Sequence, residues 1–181
     1  MRVFLIVFIA CLCACGDLSN GVIYHVQRTA TMEPTIEVGE TVRFNRFSED
    51  GSVNIERYSL VLYRNTDTRF PDVIAIARVV GLPGEHIEIV ENTITIDGER
   101  LRLPDQLDEI YSDIEIRAAF FETEYERIGP DEFFVIGDNH DSVVDSRITG
   151  PIPFSSVKGY ARSEFSRKIQ EVEEDANDGT F

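Results

Sequence analysis

Short runs of apolar residues at strand period, broken by turn residues, dominate this chain and confine it to β structure. Thr41-Val42-Arg43-Phe44-Asn45-Arg46-Phe47 alternates apolar and polar side chains, the signature of a strand with one buried face. Ser59–Tyr63 and Asp72–Ala77 are more continuously apolar, as strands buried on both faces are. His86–Val90 and Thr93–Ile96 flank Glu91-Asn92 as a hairpin would, and Asp97-Gly98 supplies a second turn signal. Phe133–Ile136 reads as a short buried strand running into Gly137-Asp138-Asn139. Helical period is scarce, so the expected fold is mostly β. A chain of 181 residues that is 43% hydrophobic can close one core of this kind. The stretch from about 97 to 130, between two regions of strong strand pattern, is the expected insertion, a small β subdomain. Residues 162–181 form an acidic tail.

The N-terminus has a different character. Met1-Arg2 precedes the apolar run Val3–Leu12, about half of the roughly 20 residues a membrane-crossing helix needs. Residues 1–14 therefore read as an export signal. All three cysteines, Cys11, Cys13 and Cys15, lie in or next to it, so the body beyond contains no pair to oxidise. Leu12-Cys13-Ala14-Cys15 resembles a bacterial lipobox, which implies lipidation of Cys15 and a lipoprotein of the bacterial cell envelope, anchored on the periplasmic side or at the cell surface. An ordinary cleaved signal and a short uncleaved anchor are the rival readings. Residues 15–28 follow as a linker.

Charge narrows the partners. With 17 Lys+Arg against 33 Asp+Glu the net charge is −16, which repels phosphate backbones and excludes sequence-independent nucleic-acid binding. No Cys/His spacing suits a metal, and phosphate-loop and dinucleotide signatures are absent, so no cofactor is expected.

Three segments in order carry a specific resemblance: Thr31-Met32-Glu33-Pro34-Thr35-Ile36, then Arg78-Val79-Val80-Gly81-Leu82-Pro83-Gly84-Glu85, then Gly137-Asp138-Asn139-His140-Asp141-Ser142-Val143-Val144-Asp145-Ser146-Arg147. With the weaker match of Arg57–Tyr63, they resemble the type I signal peptidase family over residues 29–161. The resemblance implies a mostly-β fold outside the bacterial inner membrane and a Ser–Lys dyad that cleaves after Ala-x-Ala. A serine hydroxyl needs an adjacent base, and a lysine serves only where burial keeps some of it neutral.

The dyad positions are substituted. Thr31 stands at the nucleophile position, where the extra methyl of threonine stiffens χ1; as a plain turn residue it would bond locally. Ala77 stands at the lysine position and cannot take a proton, while its neighbour Arg78 stays charged. Val143 stands where the family orients its lysine with a serine. Thr29 matches the side-chain oxyanion donor, with the Thr31 N–H as its partner. The only lysines, Lys158 and Lys168, lie beyond the last motif. His140 or His86 could serve Thr31 only from about 2.6–3.2 Å. For the scaffold, the resemblance implies an Arg78–Asp138 pair, with Asp145 and Arg147 bracing the last motif. Gly81, Pro83 and Gly84 read as turn residues.

The expectation is an exported, lipid-anchored, signal peptidase I-like protein that is catalytically inactive, a pseudoenzyme, and binds extended peptides such as signal-peptide-like segments. Met32–Val38 and Asp72–Ile76 are the candidate groove segments. The alternatives are an active serine-type endopeptidase that uses Thr31 with an unrecognised base, and a purely structural lipoprotein.

Overall fold

The structure, a computed structural model, describes residues 21–47, 55–66, 73–90, 93–104, 107, 123–125, 127–139 and 144–162. Its strands are β1 (Val22–Val26), β2 (Thr41–Asn45), β3 (Leu60–Arg64), β4 (Ile74–Gly81), β5 (Ile87–Val90), β6 (Thr93–Ile96), β7 (Glu99–Arg100), β8 (Thr123–Tyr125), β9 (Glu132–Ile136), β10 (Ile152–Pro153) and β11 (Val157–Ala161). One helical turn, α1 (Ser146–Thr149), and two 3-10 turns, Ala30–Met32 and Phe154–Ser156, complete the described elements. The protein is mostly β, and among the described residues every strand pairing is antiparallel.

The larger sheet runs β1-β2-β11-β3-β4-β9-β10 and the smaller one β7-β6-β5-β8. Alternation along β4 assigns its side chains to different cores, because successive residues of a strand point to opposite faces. Ile76 joins Met32, Ile36, Phe44, Leu60 and Leu62 on one face of the larger sheet. Ala77 and Val79 join Val61, Tyr63, Phe133 and Val135 on the other. Val80, nearer the end of the strand, packs with Ile87, Ile89, Ile128 and Phe134, which fastens the smaller sheet to the larger.

Three expectations need correction. The linker of residues 15–28 contains β1, whose five residues pair in full with β2 from Val22↔Asn45 to Val26↔Thr41. The insertion of about 97–130 covers only β7 and β8 of the smaller sheet, whose first two strands already lie at Ile87–Val90 and Thr93–Ile96. Gly81 is a strand residue, not a turn residue. A Cβ there would lie 2.5 Å from Ile128 Cδ1 and 2.8 Å from Phe134 Cβ, so glycine is required by the close approach of the smaller sheet. The turn itself falls on Pro83 and Gly84, with φ +84° at the glycine. Asp97 and Gly98 both have positive φ, 52° and 80°, as the hairpin signal demands.

Candidate functional site

The site gathers where the chain leaves β1. Gln27 is the first residue beyond the strand and its side chain is buried, at 2% exposure. Its Nε2 donates to the Thr29 carbonyl at 2.8 Å and to the Thr31 hydroxyl at 3.0 Å. The carbonyl can only accept, so it fixes which end of the amide is nitrogen, and Thr31 Oγ1 must act as an acceptor toward Gln27. Thr29 Oγ1 lies 3.1 Å from Thr31 Oγ1. Among the described residues these are the only partners of the Thr31 hydroxyl, and neither is a base. Sequence reasoning missed Gln27, because an isolated glutamine at a strand end carries no pattern.

Thr31 sits on the first 3-10 turn, which packs against β4. Two bonds hold the turn in place. The Asn139 N–H donates to the Thr31 carbonyl at 3.1 Å, and the Thr35 hydroxyl donates to Asp138 Oδ2. Asp138 is fully buried and takes a two-pronged bond from Arg78, Nε to Oδ1 at 2.9 Å and Nη2 to Oδ2 at 2.6 Å. The third arm, Arg78 Nη1, donates to the Tyr58 carbonyl at 2.9 Å. The guanidinium on β4 thus ties the end of β9 to the Thr31 turn and to the entry of β3.

A second charged brace supports the following loop. Asp145 caps α1 by accepting from the Arg147 N–H at 3.0 Å, accepts from the Gly137 N–H at 3.1 Å, and pairs with the Arg147 guanidinium at 2.8 Å. Arg57 and Glu85 form a third pair, and Glu85 also accepts from the Leu82 N–H at 2.8 Å, fixing the turn after β4.

Ala77 lies at 1% exposure opposite Val61, on the face of Tyr63 and Val79. Tyr63 is 4% exposed, and its phenol is pushed up to about 12 by burial first and by the charge of Asp145 second. The acid form is therefore kept at neutral pH, so this hydroxyl is no base either. Unfolded tyrosine loses its proton near pH 10 while the native phenol holds it to about 12. The native state then binds more protons in that interval, and stability falls as pH rises through it. Tyr63→Phe should remove about 2 kcal/mol of the stability loss between pH 10 and 12, measured as urea midpoints against the parent. An unchanged alkaline profile would count against a buried neutral phenol.

An open backbone edge runs beside the turn. The Val79 N–H donates to the Ser59 carbonyl, the Tyr58 N–H to the Val79 carbonyl and the Asn65 N–H to the Val73 carbonyl. The β3–β4 register has no shift, so residues 73, 75, 77 and 79 turn their backbone groups toward β3. Ile74 and Ile76 turn theirs the other way, where β9 pairs only from Arg78 onward. Among the described residues no strand covers Ile74–Ala77 on that side. By contrast Met32–Val38 is a series of turns with Met32 and Ile36 buried, so it offers no extended edge.

His86 begins the segment leading into β5, where its N–H bonds Asp97. His25, on β1, has its imidazole pushed down from 6.5 by partial burial and then by the nearby Arg28 charge. Val143, His140, Asp72 and Cys15 lie outside the described residues, as do residues 1–14, expected to be an export signal, and residues 163–181. Among the described residues no helix is long and apolar enough to cross a membrane.

Antiparallel sheets that brace a hydroxyl-bearing turn with a buried Arg–Asp pair define a mostly-β protein built around that turn. The chain belongs to the signal peptidase family: the family described as signal peptidase, peptidase S26, matches residues 1–166. Members of this family are serine endopeptidases that act on signal-peptide-bearing substrates at the membrane of the cell envelope. The chain is 28% identical over 134 residues to signal peptidase I V of Bacillus subtilis (strain 168), covering 71% of this chain and 77% of the relative. It is 27% identical to a probable signal peptidase I-2 of Synechocystis, covering 76% of this chain and 60% of that protein. To signal peptidase I of Leptolyngbya laminosa it is 26% identical, covering 75% and 64%. It thus spans under two thirds of the length of the latter two. Among solved structures, a signal peptidase I from Enterococcus faecalis V583 superposes with a TM-score of 0.48 at 22% identity, covering 60% of this chain and 97% of that one.

Proposed function

We propose that this chain is an exported, lipid-anchored member of the signal peptidase family that has lost turnover and holds extended peptides along the open edge of β4. The observation that carries the reading is the company of the Thr31 hydroxyl: an amide nitrogen and a second hydroxyl, with alanine at position 77. Gln27 donates through an amide that has no basic lone pair, and Arg78 stays protonated while committed to Asp138. Nothing in this set can remove the proton that attack on a carbonyl requires. Binding needs no such step. A peptide strand laid beside Ile74 and Ile76 would satisfy their outward backbone groups, as strand addition does elsewhere.

The test uses the full-length protein in detergent with an Ala-x-Ala signal-peptide segment. The expected result is saturable binding without cleavage. Cleavage abolished by Thr31→Ala would establish the active endopeptidase instead, and absence of both cleavage and binding would leave a structural lipoprotein. For the anchor, Cys15→Ala should move the protein from the membrane fraction to the soluble one; unchanged partitioning refutes lipidation.

A further inference from the structure

We infer that the outer edge of β1 docks an extended segment of a partner protein, apolar through its middle and acidic at both ends. The site is separate from the β4 groove and does not depend on it. The larger sheet ends in β1 and β10, the smaller in β7 and β8. Among the described residues three of these edges are blunted. β10 has two residues, one of them Pro153; β7 is the charged pair Glu99–Arg100; and β8 is three residues centred on Glu124. β1 has none of these devices. It runs for five residues, Val22–Val26, without proline, lysine, arginine or an acid. His25 adds no charge near pH 7, since burial first and the Arg28 charge second push its imidazole down from 6.5.

The register fixes which backbone groups are free. The Arg46 N–H donates to the Gly21 carbonyl and the Gln27 N–H to the Glu40 carbonyl, so odd-numbered residues turn toward β2. Val22, Tyr24 and Val26 turn their N–H and C=O outward, and among the described residues no strand meets them. Tyr24 and Val26 also stand exposed on one face. A strand laid there would gain backbone partners and cover apolar surface. Charge selects the kind of strand. In a chain of net charge −16, β1 and β2 contain no acid. Arg28 follows the end of β1, Arg46 faces Gly21 at its start, and Arg43 is opposite Tyr24 between them. All three are exposed, and among the described residues none is in an ion pair. Glu40, next to the start of β2, is half-buried and already accepts from the Glu37 N–H. Acids beyond each end of an incoming apolar strand would therefore come to Arg28 and Arg46. The same positions disfavour a second copy: antiparallel pairing about Tyr24 would set Arg28 of each chain toward the Arg46 end of the other.

The test titrates full-length protein in detergent at low salt with a dye-labelled peptide of alternating valine and threonine flanked by glutamates, read by fluorescence anisotropy. This peptide should bind at least about tenfold more tightly than its lysine-flanked counterpart. Arg28→Gln combined with Arg46→Gln should remove most of that preference. N-methylation of the alternate residues whose N–H groups would meet β1 should abolish binding, and N-methylation of the intervening residues should spare it. An excess of Ala-x-Ala peptide should not displace the probe. Equal affinity for the glutamate and lysine forms, binding that survives both methylations, or displacement by Ala-x-Ala overturns the inference and leaves the groove standing. Binding of no form overturns it as well, and a concentration-dependent dimer would then assign the edge to a second copy.

Discussion

Arg78→Met is expected to lower folding stability by about 3–5 kcal/mol, read as a fall in the urea midpoint. Both partners of the Arg78–Asp138 pair are essentially inaccessible, at 1% and 0% exposure. Removing the guanidinium leaves a buried carboxylate with the Thr35 hydroxyl in place of two charged N–H donors. It also frees the Tyr58 carbonyl. Against a typical stability of about 5–15 kcal/mol, the loss is a large share of the total. The double change Arg78→Met with Asp138→Leu should recover part of it, because a well-packed apolar pair leaves no uncompensated charge. The double variant should nonetheless bind peptide poorly, since Asp138 holds Thr35 and its neighbour Asn139 holds the Thr31 carbonyl. A loss below about 1 kcal/mol for Arg78→Met would mean that the pair is solvated and that the turn is braced by something else.

The parts of this architecture that were readable in advance are those written in consecutive residues. Thr41–Asn45 and Thr93–Ile96 alternate because one face is buried, and the alternation survives in their exposure. Asp97-Gly98 names its turn because few other residues take both positive φ values. What escaped was set by packing between distant segments. β1 was hidden because its outward residues include Tyr24, at 69% exposure, so the strand shows no polar face to alternate with. β11 is interrupted by Lys158 and Gly159, and the glycine is demanded by Asn45 and Phe44 of β2, against which a Cβ would come within about 3 Å. Gly81 reads as punctuation in a linear sequence and as a contact surface once Ile128 arrives beside it.

The site divides the same way. Thr29, Thr31, Arg78, Asp138, Asp145 and Arg147 could be located by motif, since each sits at a fixed offset from glycine or proline landmarks. Gln27 could not. Its role depends on the chain doubling back within four residues, so that one amide meets both a carbonyl and a hydroxyl. The one signal pointing to it is the neighbouring pattern: a buried polar side chain must find partners, and Thr29 and Thr31 are the nearest candidates.

On the loss of turnover proposed above, placing the family's dyad and its orienting serine at positions 31, 77 and 143 should bring cleavage, and Gln27 sets how far. Loss of one member of a cooperative catalytic unit costs about 10⁴- to 10⁶-fold. The combination Thr31→Ser, Ala77→Lys and Val143→Ser is therefore expected to raise kcat/KM on an Ala-x-Ala peptide by at least about 10³-fold over the parent. Ala77→Lys alone should give nothing but instability, because it forces an amine among Val61, Tyr63 and Val79 without a nucleophile or an orienting hydroxyl. Burial lowers the pKa of that lysine, so turnover should rise with pH as the neutral amine fills. Even in the triple variant the Gln27 amide still donates to the attacking oxygen, which stabilises that oxygen's electron density in the ground state and lowers its nucleophilicity. Adding Gln27→Leu, which keeps the position apolar at 2% exposure, should contribute roughly another tenfold, the worth of one hydrogen bond that is lost on going to the transition state. A folded quadruple variant that binds the peptide and cuts no faster than the parent would show that the geometry of the turn, and not the missing groups alone, had moved away from catalysis.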